Sequence, residues 1–306
     1  MGARSPFWNS RFRVHVVAVF LIVVIVAWTV WNLQSKIPSF PNSGRMSEQT
    51  LDYFLIKGKI NERDAANVEW YHAANSKSKI TEALKSSAQM IEADIIMRGH
   101  DPKEPIMAHP PQTDSDVTLR DWLKEVTVSD KGIKLDFKSL QAVAPSMGLL
   151  EEVRRQLHGP VWINADILPG PGGKGTPLGP QAFLEAVGPG HPGDVLSLGW
   201  STGWSPDTDN PGYSWEMVRE MEGVCRVLKQ SVTFPVRAAL LPQSYPQLRW
   251  LLEQSDRYSL TVWTGLSDQL AMEDLLPYRQ NIDKSRVYYD LLESQSNAFR
   301  KLPGYS

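Results

Sequence analysis

Eight short apolar segments, rich in β-branched and aromatic residues, recur along the chain and alternate mostly with longer amphipathic stretches. Short apolar runs of this kind are typical of buried strands, and a 3.6-residue apolar period predicts helices. The predicted strands are Val68–Tyr71, Met90–Ile96, Ile133–Phe137, Val161–Ile167, Val195–Trp200, Val232–Leu240, Ser259–Thr264 and Arg286–Leu291. The predicted helices are Ser78–Ala88, Leu140–Leu157, Pro180–Val187, Trp215–Lys229, Tyr245–Gln254 and Met272–Gln280. This alternation predicts an α/β fold with a parallel sheet closed into a TIM (β/α)₈ barrel.

One segment interrupts the alternation. Pro105–His109 (PIMAH) has strand character, but the connection Met97–Glu104 is too short for the crossover helix that parallel pairing requires. We therefore expect PIMAH to return antiparallel beside the second strand.

The N-terminal region predicts a membrane anchor. Residues 14–33 contain a nearly continuous apolar run, Val14–Trp31, with three arginines before it. About 20 apolar residues cross a bilayer as a helix. By the positive-inside rule, residues 1–13 are cytoplasmic and the remainder is lumenal or extracellular. We expect a single-pass signal-anchor protein; the alternative is a cleaved signal peptide and a secreted barrel.

The remaining chain divides into a linker and one domain. Residues 34–46 are rich in Pro, Ser and Gly, which is typical of a linker. Ser47 is suited to cap a helix that runs through Ile56, so the barrel domain is predicted to span residues 47–306.

Charge and cysteine content exclude several classes of function. The formal net charge is −2, so no bulk attraction favours nucleic acid as a partner. Cys225 is the single cysteine, which excludes an intrachain disulfide and a cysteine-based zinc site. We interpret Cys225 as a small buried apolar residue of a helix.

Ionisable and polar residues fall at or near the strand ends, although barrel strands are otherwise apolar. The C-terminal ends of barrel strands face the active site, so these residues are candidates for function. They are His72, Asn75, Glu92, Asp94, His109, Lys134, Asp136, Lys138, Asn164, Arg237 and Trp263.

Their chemistry suits phosphoryl transfer. The carboxylates Glu92, Asp94 and Asp136 lie on neighbouring predicted strands, and hard cations such as Mg²⁺ or Ca²⁺ prefer oxygen ligands. His72 and His109 have ordinary pKa values near neutrality, as general acid–base catalysis requires. The sequence contains no G-x-S-x-G elbow and no H-E-x-x-H helix, which excludes the serine-hydrolase and zincin interpretations.

The remaining candidates are assigned to the substrate. Lys138, beside Asp136, is expected to hold a phosphate oxygen or to orient the Asp136 carboxylate. Trp263 is expected to pack against an apolar part of the substrate. The predicted substrate-binding set is completed by Lys134, Asn75, Asn164 and Arg237.

The order of these residues resembles that of the glycerophosphodiester phosphodiesterases and sphingomyelinases D, which are phospholipase-C-like TIM barrels. His72-Ala73-Ala74-Asn75 is similar to the first-strand motif of the sphingomyelinase D branch, and Val262-Trp263-Thr264 is similar to a late-strand motif. The resemblance implies that Glu92, Asp94 and Asp136 ligate one divalent ion. It also implies catalysis by His72 and His109, with a supporting lysine at position 138.

A closer resemblance covers nearly the whole chain from Leu51 onward. The segments WYHAAN, IEADI, PIMAHPP, KGIKLDFKS, PVWINADILPGP, FPVRAAL and SLTVWTG identify the chain as a member of the menorin family. The sequence departs from the phosphodiesterase pattern at two places. Ala73-Ala74 replaces an Arg-Gly pair, which removes a phosphate-binding arginine, and Pro110-Pro111 follows the second histidine. Arg237 or Lys134 is the candidate replacement for the lost positive charge.

We therefore expect a metal-dependent phosphodiesterase, or a phospholipase D-like lyase, that acts on phosphodiester and chiefly lipid-type substrates. Two alternatives are weighed against it. The first alternative is an inactive extracellular binding or adhesion module that recognises a protein through the loops Pro169–Pro177 and Ser201–Tyr213. The second is a glycoside hydrolase that uses two strand-end carboxylates, which the spacing of those carboxylates distinguishes.

Overall fold

Parallel strands with intervening helices organise residues 49–306, the part of the chain that this computed structural model describes. The strands are β1 Trp70–Tyr71, β2 Met90–Met97, β3 Pro105–Met107, β4 Gly132–Phe137, β5 Val161–Pro169, β6 Val195–Ser201, β7 Ser231–Arg237, β8 Tyr258–Trp263 and β9 Val287–Asp290. The helices are α1 Gln49–Ile56, α2 Lys77–Lys85, α3 Leu119–Val126, α4 Leu140–Val153, α5 Pro180–Val187, α6 Trp215–Cys225, α7 Tyr245–Glu253, α8 Leu276–Asn281 and α9 Glu293–Arg300.

The sheet is a nearly closed barrel. Its strands follow the order β1-β2-β4-β5-β6-β7-β8-β9, and each neighbouring pair is parallel. Within residues 49–306, β1 and β9 are the two ends of this order and do not pair with each other. The predicted TIM-barrel fold is therefore confirmed, with an opening between its first and last strands.

The short strand β3 lies outside the barrel order. It pairs antiparallel with β2, so that Ile96 faces Ile106 and Ile95 faces Met107. This confirms the arrangement predicted for PIMAH. The turn before it is closed by a hydrogen bond from the Arg98 amide to the Glu104 carbonyl at 3.0 Å.

Several predicted boundaries were wrong. The strand predicted for Val232–Leu240 ends at Arg237, because residues 238–240 turn into a 3₁₀ helix. The helix predicted for Trp215–Lys229 ends at Cys225, and the stretch predicted for Met272–Gln280 divides into a 3₁₀ turn and α8. Apolar residues that continue past an element's end account for these errors, since they fill the core from loops.

Helix α3 is an addition to the predicted elements. Its N-terminus is capped by the Thr118 side chain, which accepts a hydrogen bond from the Asp121 amide. Leu119, Trp122, Leu123 and Val126 are all buried, which is the i, i+3, i+4, i+7 spacing of one helix face.

Helix α1 closes the N-terminal end of the barrel. Its residues Leu51 and Phe54 are fully buried in one cluster with Trp162 and Tyr288. The Trp162 indole donates to the Thr50 hydroxyl at 3.0 Å, and the Trp162 and Tyr288 rings meet edge to face at 5.0 Å. The interior at this end is therefore a packed aromatic floor, which leaves the opposite end for chemistry.

The predictions for the N-terminal region fall on residues that the structure does not describe. They are the cytoplasmic segment 1–13, the anchor 14–33, the linker 34–46 and the Ser47 cap. No helix among residues 49–306 combines the length and apolar character that a membrane crossing requires. Cys225 is buried on α6, as its sequence context predicted.

Candidate active site

Strand register places five of the predicted site residues in two neighbouring rows across β2, β4 and β5. Glu92 on β2 faces Lys134 on β4, and two residues further along Asp94 faces Asp136. Asp136 in turn faces Asn164 on β5. Because side chains alternate along a strand, residues two apart point to the same side, here the barrel interior. The structure thus brings these five residues together.

Three carboxylates form a compact cluster, defined as Glu92, Asp94 and Asp136. Their exposed fractions are 0%, 5% and 8%, and one oxygen from each lies within 4.8 Å of the others. Glu92 Oε1 and Asp136 Oδ1 are buried and accept no hydrogen bond of good geometry from residues 49–306, although the neighbouring Asn164 side chain helps to lower the Asp136 pKa. Buried carboxylate oxygens without donors are costly unless a cation is bound, so the cluster has the composition of a divalent-metal site.

Lys138 is held by two members of this cluster. Its ammonium nitrogen lies 2.7 Å from Asp136 Oδ2 and 3.4 Å from Asp94 Oδ1. Burial works against the charged lysine, but Asp136 and Asp94 outweigh it and raise the Lys138 pKa above its ordinary value. Lys138 is therefore a fixed positive charge beside the cluster.

Asn75 orients Asp94. The Asn75 amide donates to Asp94 Oδ2 at 2.7 Å, and its carbonyl oxygen accepts from the Asp94 backbone amide at 2.8 Å. Asn164 Oδ1 accepts a hydrogen bond from Ser197 at 2.5 Å, and the Asn164 side chain also acts on Asp136 and helps to lower the Asp136 pKa. Side-chain hydrogen bonds therefore hold both asparagines in place beside the carboxylate cluster.

His72 stands at the opening between β1 and β9. Its Nδ1 lies 3.1 Å from Asp290 Oδ2 and 3.5 Å from Glu92 Oε2, while the side chain as a whole is 59% exposed. The negative charge of Glu92, reinforced by Asp290, raises the His72 pKa to about 10. The ring is therefore anchored on one nitrogen and open to solvent elsewhere.

The backbone conformation after His72 provides a hydrogen-bond donor to Glu92. Ala73 has a φ of 55°, a left-handed conformation uncommon for any residue but glycine, asparagine or aspartate. In this conformation the Ala73 amide donates to Glu92 Oε2 at 2.7 Å. The position where the phosphodiesterase pattern has arginine thus supplies a backbone donor to the carboxylate cluster.

His109 is exposed and follows β3. The Ala108 amide donates to the Asp94 carbonyl at 3.1 Å, which brings His109 to the same end of β2 as the cluster. Its Nδ1 lies 2.7 Å from the Pro110 carbonyl. The structure thus places the two predicted catalytic histidines on different elements, His72 after β1 and His109 after β3.

Lys134 is buried more deeply than Lys138. It is 4% exposed, and its ammonium lies 5.7 Å from the centre of the Trp70 ring. Within residues 49–306 the Lys134 side chain makes no hydrogen bond or close ion pair, and it acts on Glu92 and Asp136 through longer-range attraction.

Arg237 and Trp263 lie side by side at the ends of β7 and β8. The guanidinium lies 5.3 Å from the Trp263 ring centre, and it pairs with Asp268 through Nε at 2.9 Å and Nη2 at 2.5 Å. Arg237 is thus already neutralised by a buried carboxylate, so the structure does not support it as the replacement for the missing arginine.

Burial shifts two further pKa values in the site. It raises the pKa of Glu92 to about 7, although the charges of His72 and Lys134 act in the opposite direction. It also raises the pKa of Asp166 to about 6. For Asp136, burial is outweighed by Lys138 and Lys134, which hold its pKa below the ordinary value.

Sequence reasoning missed two residues of this region, Asp290 and Asp268. Asp290 is the last residue of β9, so its strand-end position was a usable signal that was overlooked. Asp268 lies in a loop, where period-two alternation gives no information, and only its contact with Arg237 identifies it.

The charges of the site fit a divalent cation. Five carboxylates, Glu92, Asp94, Asp136, Asp166 and Asp290, stand against three cations, His72, Lys134 and Lys138. The excess is two negative charges when all are ionised, so a bound cation would lower the repulsion among these carboxylates. The two unpartnered carboxylate oxygens supply the oxygen donors that such an ion prefers.

Comparison with known proteins agrees with this architecture. The model of the Menorin N-terminal domain matches residues 64–296, which include all of the candidate site residues. Protein FAM151B from Homo sapiens is 55% identical over 263 residues, covering 85% of this chain and 95% of that protein. The chain therefore belongs to the menorin family.

Proposed function

We propose that this chain is a divalent-metal-dependent phosphodiesterase whose ion is held by Glu92, Asp94 and Asp136. The observation that carries the proposal is the pair of buried carboxylate oxygens without donors, Glu92 Oε1 and Asp136 Oδ1, inside a cluster of three carboxylates. Lys138 and the excess negative charge support it. A bound Mg²⁺ or Ca²⁺ ion supplies Lewis-acid polarisation of the phosphodiester.

The two histidines perform the proton transfers. His109 accepts the proton of the attacking hydroxyl, either water or a hydroxyl of the substrate. The oxygen–phosphorus bond forms, the bond to the leaving alcohol breaks, and His72 Nε2 protonates that alcohol. His72 suits the acid role because Asp290 and Glu92 face its Nδ1 and favour the protonated ring. Attack by an internal hydroxyl gives a cyclic phosphate, and the reaction is then that of a lyase.

The remaining residues hold the substrate in place. Lys138 stabilises negative charge that develops on the phosphoryl group. Trp263, stacked on Arg237, and Leu266, which is 90% exposed on the following loop, provide apolar surface at the end of β8. A phosphodiester with an apolar part, such as a lipid, matches this combination.

The proposed lumenal or extracellular location of the barrel rests on the sequence alone. If residues 14–33 anchor the chain with its N-terminus in the cytoplasm, the barrel meets lumenal or extracellular substrates. Protease protection of the barrel in sealed membranes tests this, and digestion of the barrel from the cytoplasmic side contradicts it.

Metal binding is the first test. The full chain, purified in nonionic detergent and stripped of metal, is titrated calorimetrically with Mg²⁺ and with Ca²⁺. We expect one site per chain, lost in Asp94→Asn and Asp136→Asn but retained in Asp207→Asn, a matched change at an exposed loop carboxylate. Absence of binding by the folded wild-type chain overturns the proposal.

Turnover is the second test. Phosphodiester lipids are presented in mixed micelles with the metal that binds, and released alcohol or headgroup is measured. His72→Ala and His109→Ala are each expected to reduce turnover by about 10²-fold or more. Unchanged cleavage of every active substrate in both variants contradicts the assigned roles.

A second candidate function is a binding module without turnover. It is favoured by the loops after β5 and β6, which are joined to each other by hydrogen bonds from Gly170 to Ser201 and from Gly203 to Pro171, both at 2.9 Å. Such a paired surface is suited to recognition. This function is favoured if the chain binds metal, cleaves no phosphodiester and retains a protein partner through these loops.

The glycoside-hydrolase alternative finds less support. Inverting enzymes place their two carboxyl groups about 6.5–9.5 Å apart and retaining enzymes about 5–5.5 Å apart. Here one oxygen from each of three carboxylates lies within 4.8 Å of the others, and Lys138 contacts both Asp94 and Asp136. This geometry favours a metal over a glycosidic bond between the carboxylates.

A further inference from the structure

Lys134 has a position that the proposed reaction does not explain. It lies on β4, two residues before Asp136, with its register partner Glu92 on β2 and Trp162 on β5. The residue is 4% exposed, and its ammonium is 5.7 Å from the centre of the Trp70 ring. A lysine at this depth is rarely found without a paired anion.

One oxygen of each carboxylate near Lys134 has another partner, while Glu92 Oε1 and Asp136 Oδ1 accept no hydrogen bond from Lys134. Glu92 Oε2 accepts from the Ala73 amide, Asp136 Oδ2 accepts from Lys138, and Asp290 Oδ2 contacts His72. Among residues 49–306, the ammonium of Lys134 makes no hydrogen bond or ion pair, so none of its three N–H donors has a protein acceptor. Trp70 offers only a ring face.

The Lys134 side chain is buried, but its ammonium has no protein acceptor and keeps some accessible surface, so a ligand can reach it. The negative charge nearby lowers the cost of burying this lysine without supplying hydrogen bonds. Neutralising that carboxylate excess with a cation would leave Lys134 as a positive charge in need of an oxygen ligand. Lysine binds phosphate oxygens as a compact point charge, without the planar geometry that arginine imposes. Ala73-Ala74 stand where the phosphodiesterase pattern has an Arg-Gly pair, so this chain has no arginine at that position to bind the phosphate.

We infer that Lys134 is the floor of an anion subsite that receives a non-bridging oxygen of a phosphoryl group, taking the part of the absent arginine. The inference rests on the proposed function, since it places the phosphoryl group beside the carboxylate cluster. The expected ligand is a tetrahedral oxyanion. Lys138 is not assigned this role, because it is already bonded to Asp136 and lies close to Asp94.

The test uses inorganic phosphate as the probe. The full chain in nonionic detergent is saturated with Mg²⁺ and titrated calorimetrically with phosphate, and Mg²⁺ affinity is measured on the same preparations. Lys134→Gln is expected to weaken phosphate binding by at least about tenfold. The same variant is expected to bind Mg²⁺ more tightly, because a positive charge near the cluster is removed. These opposite changes are not expected from a general loss of structure.

Two variants serve as controls. Lys174→Gln removes an exposed lysine from the loop after β5 and should leave both affinities unchanged. Lys134→Arg keeps the charge and should retain phosphate binding. If Lys134→Gln does not fold, the ammonium signal of Lys134 in the wild-type chain is followed by ¹⁵N NMR, assigned with Lys134→Arg, and must shift when phosphate is added.

The outcomes separate the two ideas. Phosphate affinity that is unchanged in Lys134→Gln, a Lys134 signal that ignores phosphate, or a Mg²⁺-loaded chain that binds no phosphate overturns the anion subsite alone. Absence of Mg²⁺ and Ca²⁺ binding by the wild-type chain overturns the proposed function, and the subsite with it.

Discussion

His72 Nδ1 lies 3.1 Å from Asp290 Oδ2, and this contact joins the first and last strands of the barrel where they do not pair through their backbones. Asp290 is 6% exposed, so the contact is formed by a buried carboxylate. Burial opposes ionisation of Asp290, but the charge of His72 outweighs it and holds the Asp290 pKa below its ordinary value. A histidine fixed at Nδ1 presents Nε2 as its reactive atom.

Replacing Asp290 therefore tests whether it positions His72. Asp290→Ala is expected to release the His72 ring and to mix its tautomers, which ¹⁵N NMR of the imidazole nitrogens detects directly. Asp290→Glu keeps the charge and should restore part of the wild-type signal. Metal binding should survive both changes, because Asp290 is outside the carboxylate cluster. An Asp290→Ala chain with wild-type His72 signals contradicts the positioning role.

Asn75 offers a test of how the cluster is built. Asn75→Ala removes the hydrogen bonds to the Asp94 carboxylate and to the Asp94 backbone amide. We expect the free energy of unfolding to fall by about 1–3 kcal/mol, since buried polar groups lose their partners. Denaturant unfolding of the metal-free chain measures this. Asn297→Ala, an exposed change on α9, should stay within about 0.5 kcal/mol, and an equal loss in both variants would argue against a specific role.

The Arg237–Asp268 pair is predicted to be a structural element. The Asp268 side chain is 0% exposed, so Arg237→Met leaves a buried unpaired carboxylate and should cost about 3–5 kcal/mol in unfolding free energy. The double variant Arg237→Met, Asp268→Leu should recover most of this loss. Disruption of the exposed pair Arg249–Glu253 should leave the unfolding free energy close to that of the wild-type chain. Additive losses in the double variant would contradict the pairing.

His72 predicts a pH dependence of stability in the metal-free chain. Its pKa is raised from an ordinary 6.5 to about 10 in the folded state, chiefly by Glu92. The folded state therefore holds its proton more tightly than the unfolded state does. This contribution is complete below about pH 6.5 and is lost as the pH rises towards 10.

The measurement compares the wild-type chain with His72→Gln between pH 6 and pH 10. The difference in unfolding free energy should shrink steadily across this range. Added metal should reduce the effect, because it neutralises Glu92. A difference that stays constant with pH would show that the folded state does not favour protonated His72.

Much of the barrel was predictable because local patterns coincide with its elements. The apolar core of β4 is bounded by polar turns on both sides, and its predicted range differs from the observed one by a single residue. The boundary of β7 was not predictable, because Ala238 and Leu240 are as apolar as the strand and their turn depends on tertiary packing. Helix α3 was missed, although its buried positions follow a helical period.

The sequence by itself determined the alternation of strands and helices, the family, and the side chains that share a strand face, since period-two alternation is a local property. Only the tertiary structure decided which of those side chains remain available. Arg237 and Lys134 are both strand cations near the predicted site, yet Asp268 neutralises Arg237 while Lys134 makes no close ion pair or hydrogen bond among the described residues. The reason is that pairing depends on spatial distances between residues far apart in the sequence, which no local pattern records. Arg237 and Asp268, for example, are 31 residues apart in the chain.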